Sequence, residues 1–218
     1  MTVQLAPVTV QATRLAEIVF ERVAGAILDG TLAPGSIVRD NAIAAQLGVS
    51  RMPVREALQR LQRIGLIDMA ASRYTRVAEV TPEIVQQTLE FAACQASSIV
   101  VLVVPRLDAE GSAAARAVVA DVLAEIDGGA HAVATAQRVY RHLGELSGNR
   151  YLNDLLSDVH IAVEHNLRQI DDGDAVRAHV RARLVALEEA ISRGDAEAAA
   201  RIAAAQHDLG ELLALSAD

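Results

Sequence analysis

Hydrophobic residues recur every three to four positions in the first third of the chain, which is the spacing of one face of an α-helix. Leu15, Val19 and Val23 begin the first such stripe, and Gly30 ends it. The stripes together predict three helices, over residues 14–29, 39–47 and 51–63. The residues before them carry no such stripe, so 1–13 are expected to form a flexible tail.

Two short extended runs follow, over residues 66–69 and 74–78, and they predict a β-hairpin. Three helices and a hairpin in one short segment are typical of a winged helix-turn-helix. The sequence therefore predicts a mainly α fold in two domains, a winged helix-turn-helix over 14–79 and an all-α domain over 80–218. Helices in the second domain are expected at about 82–104, 110–127, 131–146, 150–171, 175–193 and 195–215.

Composition and charge narrow the class of protein. Hydrophobic residues make up 52% of the 218 residues and aromatic residues only 2%, so Leu, Ile, Val and Ala must build the cores. Residues 1–80 hold nine Arg against seven acidic residues, whereas 81–218 hold eleven against twenty-one. A near-neutral to basic front on an acidic body suits a DNA-binding module, although ordinary surface variation explains the difference equally well.

Cys94 is the single cysteine, so an intrachain disulfide is excluded, and its apolar helical setting predicts a buried thiol. No signal peptide is recognised in the first residues. The most apolar run, 96–104, is far shorter than the roughly 20 residues that a membrane helix needs. We therefore expect a soluble, cytoplasmic protein that does not bind a membrane.

The third predicted helix has two chemically different faces. Three apolar residues line one of them, and three polar side chains project together from the other at i, i+4 and i+8: Arg51, Arg55 and Gln59. Arg is well suited to guanine and Gln to adenine in the major groove, so this face is predicted to read DNA. The alternative is a set of solvated surface charges, with Arg55 paired to Asp40.

Two strings in this region resemble the GntR family of repressors: ILDGTLAPG over 27–35 and LGVSRMPVREAL over 47–58. With the polar face above, the resemblance implies a set of DNA-binding residues: Ser50, Arg51, Met52, Pro53, Arg55, Gln59, Arg73 and Arg76. Met52 and Pro53 would lie at the protein–DNA surface, and Arg73 and Arg76 would flank a wing in the minor groove. Tyr74 departs from the Arg-Gly pair common in this family, which leaves the shape of the wing open.

The rear domain resembles the FadR subfamily, with its FCD-type helical domain. LSGN over 146–149 and AISRGDAEAA over 190–199 are similar to that subfamily's motifs. The resemblance implies an antiparallel helical bundle that pairs into a homodimer and senses a small molecule, often an organic acid.

Many members of this subfamily hold a metal with one Asp and three His. The matching positions here are Ala136, Tyr140, Leu184 and Gln206, and none is a good metal ligand. We therefore expect no metal and no other cofactor, and we assign the same positions, with the adjacent His207, to an effector pocket. Tyr140 and Gln206 are expected to meet a ligand, water or each other. The six histidines are expected to be surface or partly buried imidazoles: His131, His142, His160, His165, His179 and His207.

These observations predict a DNA-binding transcriptional regulator, an effector-responsive repressor that acts as a dimer on double-stranded operator DNA. A constitutive DNA-binding dimer with a closed, ligand-free bundle is the alternative. An enzyme is disfavoured because the sequence offers no nucleophile–base pair, no paired carboxylates at motif spacing and no Gly-rich phosphate loop.

Overall fold

The computed structural model describes residues 10–70, 73–208 and 210–212. The chain divides into two compact units between Glu79 and Val80. Most of the predicted tail, 1–9, lies outside the described residues. Helix α1 begins at Val10, so the expectation that 10–13 belong to the tail is wrong.

The front unit contains three helices and a hairpin: α1 (Val10–Leu28), α2 (Asp40–Leu47), α3 (Arg51–Arg63), β1 (Ile67–Ala70) and β2 (Tyr74–Val77). The strands are antiparallel, with Ile67 opposite Val77 and Ala70 opposite Tyr74. The segment before α2 extends this sheet through a bridge between Ile37 and Arg76.

The tight connection between α2 and α3 depends on Gly48. This residue ends α2 with a φ of 66°, in the left-handed region that favours glycine. The amide of Val49 then donates to the carbonyl oxygen of Ala44. The turn thereby places Ser50 as the N-cap of α3 and aims the start of that helix away from the core.

Apolar packing joins α1 and α3. Val19, Phe20 and Val23 of α1 and Leu58 and Leu61 of α3 are buried in the core of the front unit. At the edge of this contact the Arg60 guanidinium lies 4.0 Å from the centre of the Phe20 ring and also pairs with Glu17. The buried stripe of α3 therefore faces α1, which leaves its polar face exposed.

The rear unit is a helical bundle, as expected. Its helices are α4 (Pro82–Val103, followed by a 3-10 turn over Val104–Arg106), α5 (Ala109–Asp127), α6 (Ala132–Leu146), α7 (Arg150–Leu167), α8 (Asp174–Arg193) and α9 (Ala196–Gln206). Side chains at five helix starts accept a hydrogen bond from a backbone N–H three residues later: Thr81, Asp108, His131, Asn149 and Asp195. Such caps satisfy amides that have no partner within the helix.

Two helices are shorter than predicted. Helix α7 ends at Leu167 rather than near 171, because Asp172 instead accepts from the first amide of α6, at Ala132, and pairs with Arg177 at 2.5 Å. Helix α9 ends at Gln206 and does not continue unbroken towards 215, while positions 209 and 213–215 of the predicted helix lie outside the described residues. There Asp208 begins a new turn by accepting from the amide of Glu211.

Helix α4 is the most apolar element of the bundle. Together with the turn that follows, it spans Pro82–Arg106 and is long and apolar enough by composition to cross a membrane. This segment is longer than the apolar run 96–104 that the sequence indicated. Its apolar side is buried in the core of the bundle: Leu89, Ala92, Ala96, Ile99, Val100 and Val103. Cys94 lies on the opposite side and is exposed, so the prediction of a buried thiol is wrong.

Candidate nucleic-acid interface and effector pocket

The exposed face of α3 carries most of the predicted DNA-binding residues. Ser50, Arg51, Arg55 and Gln59 are exposed, and the hydroxyl of Ser50 makes no capping hydrogen bond within the described part of the helix. Met52 also lies on the surface, with 65% of its area exposed.

Pro53 is the exception on α3. It is buried, so the expectation that it lies at the protein–DNA surface is wrong. As the third residue of the helix it still satisfies a backbone requirement, because the first amides of a helix have no intrahelical acceptor.

The two arginines at the start of α3 differ in their partners. Arg51 donates to Asp40, the first residue of α2, at 2.9 Å. This hydrogen bond, more than the nearby charges, holds the pKa of the Asp40 carboxyl below its usual value. Asp40 thus pairs with Arg51 and not, as the alternative had it, with Arg55. Among the described residues Arg55 makes no ion pair or hydrogen bond with an acidic side chain, although its charge contributes to lowering the pKa of Asp40.

A groove of about 910 Å³ separates α3 from the hairpin. Asp40 is the single acidic residue among the described lining residues. Four arginines line the groove as well: Arg39, Arg51, Arg55 and Arg73. Arg39 was not among the DNA-binding residues predicted from the sequence. The only signal available in the sequence was a basic residue directly before α2.

The hairpin presents its two predicted arginines differently. Arg73 is exposed, next to positions 71–72, which lie outside the described residues. Arg76 donates to Asp68 across the strand pair at 3.2 Å, and its guanidinium lies 4.8 Å from the centre of the Tyr74 ring. The Tyr74 ring therefore supplies a surface against which the Arg76 guanidinium lies.

The predicted effector-pocket residues come together in the core of the rear unit. Ala136, Tyr140 and Leu184 are buried within the core. The Tyr140 hydroxyl donates to the side-chain oxygen of Gln206 at 2.9 Å. In the structure, Tyr140 and Gln206 are thus hydrogen-bonded to each other.

His207 makes two contacts of its own beside the Tyr140–Gln206 hydrogen bond. Its Nε2 lies 3.0 Å from the amide nitrogen of Gln137, and its Nδ1 lies 2.7 Å from the carbonyl oxygen of Ala203. Burial lowers the pKa of His207 to about 4, which favours the neutral imidazole at pH 7. Gln137 was missed in the sequence, although its place three residues before Tyr140 puts it near the same helix face.

Three histidines expected at or near the surface are buried: His160, His165 and His207. His160 lies 3.2 Å from the amide of Gln95 on α4, and burial lowers its pKa to about 4. His131 caps α6 by accepting from the amide of Ala134.

The residues at the family's metal positions do not fit a metal. Ala136 and Leu184 offer no donor atom, and the polar atoms of Tyr140 and Gln206 bond to each other. Within the described residues no group of three His, Cys, Asp or Glu side chains is arranged to hold a metal ion.

The front unit, with an exposed arginine-bearing helix beside a hairpin, and the helical rear unit define a winged helix-turn-helix regulator of transcription. The chain belongs to the GntR family. The family model described as bacterial regulatory proteins, gntR family, matches residues 15–77. The FCD domain model matches residues 96–207.

Curated relatives are transcriptional regulators. The regulator Rv0494 of Mycobacterium tuberculosis is 30% identical over 86% of this chain and 84% of its own length. Mce2R of the same species is 40% identical over 34% of this chain, and the match spans about a third of its own length, 31%. A Paenarthrobacter nicotinovorans protein, described as a D-xylose utilization operon transcriptional repressor, is 44% identical over 25% of this chain and 24% of its own length.

Solved structures share the fold. Escherichia coli McbR/YncC superposes with a TM-score of 0.70 at 20% identity, over 92% of this chain and 97% of that one. A GntR transcriptional regulator from Rhodococcus sp. RHA1 gives a TM-score of 0.69 at 24% identity, over 94% and 99% of the two chains.

Proposed function

We propose that this GntR-family regulator represses transcription as a cytoplasmic homodimer that reads an operator with Arg51, Arg55 and Gln59, and that a small organic acid releases it. The observation that carries the operator-reading role is the exposed face of α3, where Arg55 makes no ion pair among the described residues. A guanidinium in that state can bridge the O6 and N7 atoms of guanine without first breaking an ion pair. Repression is supported by the matching repressor of Paenarthrobacter nicotinovorans.

The test is fluorescence anisotropy on DNA from upstream of the protein's own gene, at fixed salt, with random DNA as competitor. We expect Arg55→Ala to lose about 1–3 kcal/mol of operator binding, the value of one good bidentate base contact. Arg22→Ala is the matched control, because Arg22 is an exposed arginine on α1 outside the groove. Equal binding by wild type and Arg55→Ala would show that Arg55 does not read bases.

A homodimer is supported by an exposed apolar surface on α4 and α7. Hydrogen bonds between Gln95 and His160 and between Thr88 and Asn166 place these two helices side by side and antiparallel. Their outer sides expose four large apolar side chains: Phe91, Val101, Tyr151 and Leu155. A second copy of this chain would cover that surface, and two copies of α3 would then face two operator half-sites.

The oligomeric state tests this surface. We expect sedimentation of a dimer for the wild type and of a monomer for Leu155→Arg, since Leu155 is 58% exposed and a buried unpaired charge would oppose the contact. Val185→Arg is the control, because Val185 is also exposed but lies on α8. A Leu155→Arg protein that remains dimeric with unchanged affinity would place the interface elsewhere.

A second candidate function, constitutive DNA binding by a closed bundle, is favoured by one observation. The polar groups of the predicted pocket are satisfied internally, through the Tyr140–Gln206 and Gln137–His207 pairs. A ligand would have to replace both pairs with contacts at least as good. Titration of organic acids onto the operator complex separates the candidates, because only the effector-responsive regulator releases DNA.

We also propose that the bundle works without a metal. Support comes from the donor set, since the four positions that bind metal in many relatives are Ala136, Tyr140, Leu184 and Gln206 here.

A further inference from the structure

A protein that places a helix in the major groove and a hairpin in the adjacent minor groove must straddle one sugar–phosphate strand, because that strand separates the two grooves. In the front unit the space between α3 and the hairpin is the groove of about 910 Å³ described above. The proposed operator-reading role of α3 and the wing therefore requires a phosphate backbone to pass along this groove. The following inference rests on that proposed function.

Arg39 lines this groove and is the residue directly before α2. The amide of Val38 donates to the carbonyl oxygen of Thr75 at 2.8 Å, and Ile37 is bridged to Arg76, so this register places Arg39 across from Tyr74. Its own carbonyl oxygen accepts from the amides of Ala42 and Ile43 in the first turn of α2.

The backbone of Arg39 is thus fixed on both sides, by a strand pairing before it and a helix start after it. Its backbone conformation is extended, with φ −109° and ψ 115°. In a strand, neighbouring side chains alternate between faces. Val38 is accordingly buried in the core, whereas Ile37 and Arg39 are exposed. An arginine on so well-ordered a backbone loses less freedom on binding than one on a mobile loop.

The charge balance of the groove favours an anion. Asp40 is the one acidic residue among the described lining residues, and it forms an ion pair with Arg51 at 2.9 Å. Arg39 has no ion pair or side-chain hydrogen bond in the described part of the chain. It lines the groove with Arg55 and Arg73, so three positive charges remain to be balanced there.

We propose that Arg39 contacts a phosphate of the DNA strand that passes between α3 and the wing, and so anchors the front unit on DNA independently of base sequence. Arg39 supplies charge and position, whereas Arg55 supplies base discrimination. The two roles predict different signatures, because phosphate contacts contribute to binding of any duplex and base contacts contribute only to the operator.

The experiment measures binding of the full-length protein to operator and to random duplex DNA across a range of salt concentrations, for wild type, Arg39→Gln, Arg55→Ala and Arg22→Gln. We expect Arg39→Gln to weaken binding to both duplexes by the same factor, about eightfold at 0.1 M salt, which is the counterion-release contribution of one phosphate contact relative to 1 M salt. The slope of log affinity against log salt should fall by about 0.9. Arg22→Gln should match the wild type, and circular dichroism should show that all variants are folded.

Two outcomes overturn the proposal. Unchanged affinity and slope in Arg39→Gln would mean that Arg39 is a solvated charge, and a loss confined to the operator would mean that it reads bases. Failure of operator recognition itself is seen separately, as wild-type protein that binds both duplexes alike. In that case the salt slope on random DNA still tests Arg39.

Discussion

Replacing Tyr140 with Phe removes one buried hydroxyl and leaves the side-chain oxygen of Gln206 without its donor. Both residues are buried, and the two atoms are 2.9 Å apart. Loss of a phenolic oxygen changes the packed volume little, so the energetic cost is dominated by the unsatisfied acceptor. Such a group costs about 1–3 kcal/mol, and we expect Tyr140→Phe to lower the free energy of unfolding of the rear unit by that amount.

The assay is urea unfolding of the full-length protein, followed by circular dichroism and by hydrogen exchange of α6 amides, which report on the rear unit alone. Tyr74→Phe is the control, because Tyr74 is exposed and lies in the front unit, outside the bundle and outside the proposed dimer surface. Its free energy of unfolding should stay within about 0.5 kcal/mol of the wild type.

A double replacement sharpens the test. Tyr140→Phe combined with Gln206→Met removes both polar partners at nearly constant volume, so it should recover most of the stability lost in Tyr140→Phe. A Tyr140→Phe protein as stable as the wild type would refute the reasoning. It would mean that Gln206 finds another donor, such as water, as an open ligand-accepting pocket allows.

Three further predictions follow from other contacts. Asp40→Asn should change the free energy of unfolding by no more than about 1 kcal/mol, because the ion pair of Asp40 with Arg51 is exposed. The same variant should bind random DNA more tightly and should have a lower ratio of operator affinity to random-DNA affinity, measured by competition anisotropy with Glu21→Gln as the control. The rear unit should lose stability as the pH falls from 6.5 to 4, because the pKa of buried His207 is depressed to about 4 and the unfolded chain then binds more protons. In His207→Gln this pH dependence, measured by urea unfolding, should be smaller by one proton. An identical pH dependence in the variant would contradict the burial argument. A chelator should leave the melting temperature and the operator affinity unchanged, and elemental analysis should find a substoichiometric metal content. A marked drop in the melting temperature on adding the chelator would show that a metal is bound.

Local patterns in the sequence were sufficient to predict the elements that position the exposed polar face of α3. The apolar stripe of α3, the N-cap Ser50 and the left-handed Gly48 are encoded within a few residues of one another, so the helix-turn-helix could be recognised without tertiary information. The exposure of Arg55 followed, because a helix that buries one stripe must expose the other.

Helix ends and ion pairs depended on residues far apart in the chain. Helix α7 stops early because Asp172 caps α6, at a separation of 40 residues from Ala132. The partner of Asp40 was Arg51 rather than Arg55, since the turn at Gly48 brings the first residues of α2 and α3 together. The hydrophobic periodicity of a segment does not predict contacts between residues that are so far apart in the chain.

Faces and partners in the rear unit were decided only by packing. The sequence showed that Cys94 lies on a helix, but whether that side of α4 meets the core depended on which neighbours surround it, and the thiol is exposed. In the same way, the sequence placed Tyr140 and Gln206 on inward faces, whereas only the assembled bundle decided that they bond to each other. The sequence by itself thus determined most of each helix, the turn at Gly48 and the exposed polar face of α3, because short-range backbone and side-chain preferences act within a few residues. The tertiary structure alone decided how buried polar groups are satisfied, because that depends on helices separated by 66 positions in the chain.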